Sequence, residues 1–397
     1  AGAAGNADTA ANAHEPVVLC QRLASLAGLR VQRGKALVEL GDYAVERDAR
    51  FACLPADTRL PDHTIWNHCG IASAFASCGG APALLRFQLG PVQDFIAAAR
   101  TTRDLWSASY LLSWLMTSGL KRLSERAGPD AVLFPNLHGQ PLFDFQWKNA
   151  LWSQLNVGEH TRLSPLRHSD SELVTPNLPN VFLALVPAAD ARVIVADVEN
   201  AIRAEWQTIA DAVWAFAFRE NPATANRDRF DDQIARHLSI AWQTTPFPAS
   251  LDDAETLASQ LPDPSILARF RLVRREFEKD KNKAFHDRRF YTDDAKTKLN
   301  SIGLAWSLIV ALNHWQLDAV RKTRVFLSPR QEKEWAPVLK DALTGVEEQV
   351  FTDKADLSAA AMPFFKHDDP VAAATLVKRL WHLAYLRDRH ELPERGF

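Results

Sequence analysis

Residues 86–115, RFQLGPVQDFIAAARTTRDLWSASYLLSWL, change their apolar period part-way along, and that change constrains the fold more than any other feature of the chain. Leu85, Phe87 and Leu89 alternate with Arg86 and Gln88, which is the period of a strand with one apolar face. Beyond Gly90-Pro91, the residues Val92, Phe95, Ile96 and Ala99 recur at helical spacing, and Pro91 sits where a helix start tolerates a missing N–H. A second helix is predicted from about Asp104, with Leu105, Ala108, Leu112 and Leu115 along one side, to about Gly119. The junction carries no lysine, no nucleophile and no paired carboxylates at its tip.

Further strands are predicted at Ala131 to Pro135, at Asn180 to Val186 and at Ser239 to Thr245; the second is apolar on both faces and therefore expected at the centre of a sheet. Ile202, Trp206, Ile209 and Val213 mark an amphipathic helix between Val198 and Phe216. The order strand, helix, strand, strand, helix, strand is the split βαβ or ferredoxin-like arrangement, on which nucleotidyltransferase palms are built. The fold class expected is α+β: residues 1–54 a flexible lead with short helical patterns, 55–250 a ferredoxin-like palm with extra helices, and 251–397 a mostly helical domain. Helical patterns in the last part fall at 299–326, 335–350 and 370–389.

The balance of 46 Lys+Arg against 48 Asp+Glu gives a net charge of -2, so nucleic-acid or membrane contact has to come from local patches. Cys20, Cys53, Cys69 and Cys78 form no C-x-x-C pair, which excludes a zinc knuckle or disulfide framework of that pattern and fits a reducing cytoplasm. The longest apolar run, Ile302 to Leu312, falls short of the roughly 20 residues that cross a bilayer. Residues 269–298 hold eleven Lys/Arg against six Asp/Glu, with Phe270, Phe277, Phe285, Phe290 and Tyr291 interleaved. Cations with aromatics suit single-stranded nucleic acid, and Arg274, Arg275, Lys281, Lys283, Arg288 and Arg289 are the candidate RNA contacts; the competing reading is a solvated helix whose charges neutralise one another. His63 and His68 in HTIWNHC invite a metal, but a spacing of five does not put both rings on one helical face and a third ligand is not evident. His367-Asp368-Asp369 reads as a loop.

An ordered series of segments carries a family resemblance. PADTRLPDHTIWNH, the junction GPVQDFIAAARTTRDLWSASYLLSWL, LFPNLHGQPLFD, LPNVFLALVP, HLSIAWQTTPFP, IGLAWSLIVALN and AATLVKRLWHLAYL together resemble the large subunit of type III-B CRISPR effector complexes, the Cas-ten family, from about Pro55 onward. The resemblance implies a subunit that caps the crRNA 5′ end, takes part in target RNA recognition and contacts Cas-five-like, Cas-seven-like and small helical subunits. It also implies two facing palms, the second using Gly-Gly-Asp-Asp, magnesium and ATP to make cyclic oligoadenylate. Here Gly79-Gly80 is followed by Ala81-Pro82, the Asp-Asp pairs at 231–232, 252–253, 293–294 and 368–369 lack preceding glycines, and His14 is followed by Glu15 rather than Asp, so the synthase motif does not occur in this sequence and no HD dyad lies near its N-terminus. ATP and magnesium are expected only where a second palm is supplied.

In related cyclase palms the first strand leads into an acid-bearing turn that fixes two cations; Gly90-Pro91-Val92-Gln93 has no acid and no catalytic residue is assigned. The helix start there still offers amides to a phosphate, with Arg100 and Arg103 further along, so Gly90, Pro91, Gln93, Arg100, Arg103 and Ser107 are the candidate nucleotide contacts. The plainer reading is a turn, a helix start and a solvated Arg-Asp corner at Arg100, Arg103 and Asp104. Three functions stay open: a scaffold subunit without synthase activity, the N-terminal part of an active synthase, and a metal-dependent nuclease built on His63 and His68.

Overall fold

A computed structural model describes residues 55–56, 63–137, 140–146, 174–218, 220–280, 305–323, 338–366 and 369–387. Helix α1 (Ile65–Ser77) precedes strand β1 (Pro82–Gly90), which runs into the short helix α2 (Gln93–Ala97) and the long helix α3 (Thr102–Ala127). Then come β2 (Val132–Phe134), β3 (Val181–Pro187), α4 (Ala191–Ala217), α5 (Arg227–His237) and β4 (Ser239–Pro246). Helices α6 (Leu251–Ala258), α7 (Pro264–Asp280), α8 (Trp306–Lys322) and α9 (Ala373–Trp381) follow, and α9 runs on into a π-helical turn over His382–Arg387.

The four strands form one antiparallel sheet in the order β2-β3-β1-β4. The architecture is therefore α+β, and the apolar β3 lies inside the sheet between β2 and β1, as its two-sided pattern requires. Alternation along β1 sorts its side chains between two cores. Ala83, Leu85, Phe87 and Leu89 face α3, α4 and α9, whereas Leu84 joins α1, α6, α7 and α8 on the opposite side. Phe87 and Phe182 are directly opposed across the β1/β3 ladder and stack at 5.0 Å, each ring contributing about 2–3 kcal/mol by burial. On the first face α3 and α4 approach so closely that a Cβ on Gly119 would lie 2.7 Å from Ile202 Cδ1.

Local signals account for the ends of the elements. Thr101 caps α3, its Oγ1 accepting from the Asp104 N–H at 3.2 Å, and Gly128 (φ 88) followed by Pro129 stops it. Asn226 caps α5 in the same way at 2.9 Å. Of the helix expected over 335–350, the described part is not helical: residues 338–350 turn back on themselves, with Lys340 bridged to Glu348. The reason is Asp341, whose carboxylate accepts from the N–H groups of Leu343 and Thr344, together with Gly345 at φ 65, a conformation that ends helices. Residues 350–386 supply Val350, Phe351, Leu376 and Trp381 to the α3/α4 core, while α6, α7 and α8 cover the other face.

Candidate functional site at the strand to helix junction

The junction between β1 and α3 is fixed by residues remote in sequence. Gly90 lies where β1 meets Ser239, whose Oγ would be 3.0 Å from a Cβ at that position, so the last pair of this ladder needs a small residue. Pro91 follows through a cis peptide, and Gln93 and Asp94 are exposed on α2. Phe95 is buried beneath α2, where His237 meets its ring edge-on at 4.9 Å and the Lys378 ammonium lies 5.0 Å from the ring centroid. Lys378 is almost fully enclosed, and its Nζ donates to Phe95 O at 2.9 Å and to Ala98 O. These are carbonyls at the C-terminal end of α2, so the cation caps a helix end that lacks further helical partners.

The adjoining residues of α9 complete the attachment. Arg379 donates from Nε and Nη2 to the two carboxylate oxygens of Asp104, each at 3.2 Å, and both side chains are buried. Asp104 also accepts from the Arg100 N–H at 3.0 Å. Burial alone would raise the Asp104 pKa, but the bonds from Arg379 and Arg100 hold it below the ordinary carboxylate value. Ser107 Oγ donates to Lys378 O and accepts from Trp381 Nε1 at 2.8 Å. Burial pushes the Lys378 ammonium down to about 8, with Arg379 adding to the effect against the opposing pull of Asp104. Burial, with a smaller contribution from Lys378, holds His237 down to about 4, so at neutral pH its imidazole is neutral between Phe95 and Trp206.

The candidate nucleotide contacts thus have specific surroundings. Arg100 is exposed yet ion-paired to Asp369, a residue of the predicted His-Asp-Asp loop, whose first two members lie outside the described residues. Arg103 lies over the Phe364 ring at 5.1 Å. Ser107 is committed to α9, and α2 is only five residues long, so its summed dipole is small. Gly90, Pro91, Val92 and Gln93 bring no carboxylate to the turn, and the exposed Asp94 is the first acid after it. The Arg-Asp corner expected at Arg100, Arg103 and Asp104 exists, but Asp104 takes Arg379 as its partner and the pair is buried rather than solvated. Lys378 and Arg379 were missed in the sequence because their partners lie about 275 residues away; two cations within an apolar helix were the available signal.

The second candidate region is α7. Arg274 pairs with Glu255 at 2.9 Å and Asp252 at 2.6 Å on α6, and Arg271 reaches Glu255 at 2.6 Å. Arg275 is exposed on the same helix, and Lys281, Lys283, Arg288 and Arg289 lie outside the described residues. Elsewhere, His63 and His68 are brought together, contrary to the spacing argument: His63 precedes the N-cap Thr64, so it folds back over the first turn of α1. Their rings stack at 5.5 Å, with His63 Nε2 3.3 Å from His68 Nδ1. Among the described residues no three His, Cys, Asp or Glu side chains converge as a metal site, and no helix is long and apolar enough to cross a membrane.

Residues 84–211, from β1 through most of α4, match the family described as CRISPR-associated protein Cmr2, N-terminal. The resemblance to the type III-B large subunit is borne out. Two curated relatives agree: the CRISPR system Cmr subunit Cmr2 of Pyrococcus furiosus, 36% identical over 170 residues, and the CMR subunit Cmr2 of Saccharolobus solfataricus, 36% identical over 104. The matched stretches are 43% and 25% of this chain but only 17% and 10% of those proteins' lengths. A chain in a cryo-EM structure of the type III-B Cmr-beta bound to cognate target RNA aligns over 94% of this chain and 41% of its own, at TM-score 0.48 and 16% identity.

Proposed function

We propose that this chain acts in the cytoplasm as large-subunit material of a type III-B effector complex, with its four-stranded domain serving as a ferredoxin-like palm that does not itself bind catalytic metal. The observation that carries the reading is the β1 to α2 turn: it occupies the place where a two-metal palm needs acids, and it holds Gly90, Pro91, Val92 and Gln93 instead. The strand order β2-β3-β1-β4, with α3 between β1 and β2 and α4 and α5 between β3 and β4, supports the palm assignment. The similarity to Cmr2 supports the crRNA, the target RNA, and Cas-five-like, Cas-seven-like and small helical subunits as partners, with capping of the crRNA 5′ end as the role. Arg275 and the basic residues that follow α7 are the RNA contacts in this reading, and the exposed face of α2 with Arg103 is the part nearest nucleotide.

A second reading is favoured by one observation: the matched stretch covers 17% of the Pyrococcus relative, which leaves most of that protein for other domains. There the same palm is the acid-free half of an active cyclic oligoadenylate synthase. Reconstitution with the partner subunits and a crRNA, followed by ATP and magnesium, separates the two. Scaffold function predicts assembly at the crRNA 5′ end without oligoadenylate unless a chain bearing Gly-Gly-Asp-Asp is added. Conversion of ATP by this chain alone, or failure to join the complex, would overturn the proposal.

A further inference from the structure

The two edges of the sheet differ. Strand β2 is three residues long with an irregular register, whereas β4 presents eight residues, Ser239–Pro246. Leu89 N–H donates to Asn180 O at 2.8 Å and Phe247 N–H to Pro82 O at 2.9 Å, so odd-numbered residues of β1 turn their main-chain groups to β3 and even-numbered ones to β4. By the same register Ser239, Ala241, Gln243 and Thr245 face β1, and the groups of Ile240, Trp242 and Thr244 point away from the sheet. Among the described residues only the Gln243 side-chain amide reaches these outward groups, donating to Thr244 O at 2.9 Å, and no strand lies beyond β4. Residues 239–246 carry no charge, although natural edges are usually guarded by lysine or other charged side chains.

A cleft of about 410 Å³ lies beside the C-terminal half of this edge, lined by Thr244, Thr245, Phe247, Leu257, Leu312 and Gln316 among others. A strand placed alongside β4 would send every second side chain to the α8 side, where this cleft opens. We propose that the outer edge of β4 is a strand-addition site, taking an extended, largely uncharged segment of a partner protein as a fifth strand, with an apolar side chain in the cleft. Outward donors and acceptors at two-residue intervals match a polypeptide main chain, which supplies affinity, while the cleft supplies selectivity. RNA is disfavoured as the occupant, since Asp253 is the charged residue of the lining and no Lys or Arg belongs to it. The site is independent of whether the chain serves an RNA-guided complex.

The probe is a fluorescein-labelled decapeptide, Lys-Thr-Val-Thr-Leu-Thr-Val-Thr-Thr-Lys, titrated with the full chain and followed by anisotropy. Saturable binding is expected, and N-methylation of its odd-position or even-position amides should weaken it unequally, because a strand pairs through one edge. Thr244→Pro removes an outward N–H and no bond to β1; it should weaken binding about tenfold, the value of one hydrogen bond, with an unchanged thermal midpoint. Thr256→Trp, which crowds the cleft, should weaken the leucine peptide more than its alanine counterpart. If Thr244→Pro fails to fold, Ile240→Pro removes another outward N–H and replaces it. Absence of saturable binding, or equal binding by the proline variant, would overturn the proposal. A concentration-dependent dimer abolished by Thr244→Pro would assign the edge to a second copy and overturn it equally.

Discussion

Both the junction at α2 and the helix pair α6/α7 concentrate arginines and acids, yet their charges serve different ends. At the junction, Lys378 and Arg379 of α9 reach across the chain to Phe95, Ala98 and Asp104, and all of these interactions are enclosed. On α7, Arg271 and Arg274 pair with Asp252 and Glu255 of the neighbouring helix at the surface, where Asp252 remains 82% exposed. Buried charges are strongly penalised when a partner is lost, whereas exposed pairs contribute about 0–1 kcal/mol. The lesson is that cationic residues near a turn do not by themselves make a phosphate site. Here the junction's enclosed cations hold two parts of the chain together, whereas those of α7 tie one surface helix to its neighbour.

The largest effect is expected for Asp104→Ala, which strands Arg379 without its carboxylate inside the protein. Urea unfolding should show a loss of about 3–5 kcal/mol, while the double variant Asp104→Leu with Arg379→Met should recover much of it. A loss below about 1 kcal/mol would mean that the pair behaves like those on α7.

Next is Lys378, for which pH gives the sharper test. Its ammonium is held at about 8 in the folded protein against an ordinary 10.5, so between those values the unfolded chain binds more protons. Stability should therefore rise with pH across that window, by on the order of 2 kcal/mol, and the rise should vanish in Lys378→Met. The same substitution should cost about 1–3 kcal/mol at neutral pH by leaving Phe95 O and Ala98 O without their donor. A wild-type profile that parallels the variant would break the assignment.

The smallest effect is expected for Arg274→Ala: no more than about 1 kcal/mol in the same unfolding assay. A loss of several kcal/mol would erase the distinction between the two regions.

Much of the sheet was legible in the sequence because a period of two and a period of 3.6 are written in the order of apolar residues. Leu85, Phe87 and Leu89 announced β1, and Ile202, Trp206, Ile209 and Val213 announced α4. Helix α5 was not foreseen, since RDRFDDQIARH offers only Phe230 and Ile234 as apolar anchors and gains its place by packing them beside α4 and α9. The turns at 338–350 were misread as helix because their apolar spacing outweighed Gly345 and the Asp341 bonds that bend the chain. The site was less legible still. Residue types at the junction suggested a solvated corner, but pairing between Asp104 and Arg379 is a tertiary fact that no local period encodes.

The position of β1 has a consequence for synthesis. It leaves the ribosome first among the strands, yet its two sheet neighbours are β3 and β4, and the last of these is complete only at Pro246. At ordinary translation speeds the interval after Gly90 is on the order of ten seconds. Until β3 is complete at Pro187 the greasy ribbon PALLRFQLG has neither flank paired, and its β4 flank stays open to the end of the interval, which makes this segment the natural client of a chaperone and the first suspect when the protein is recovered as inclusion bodies.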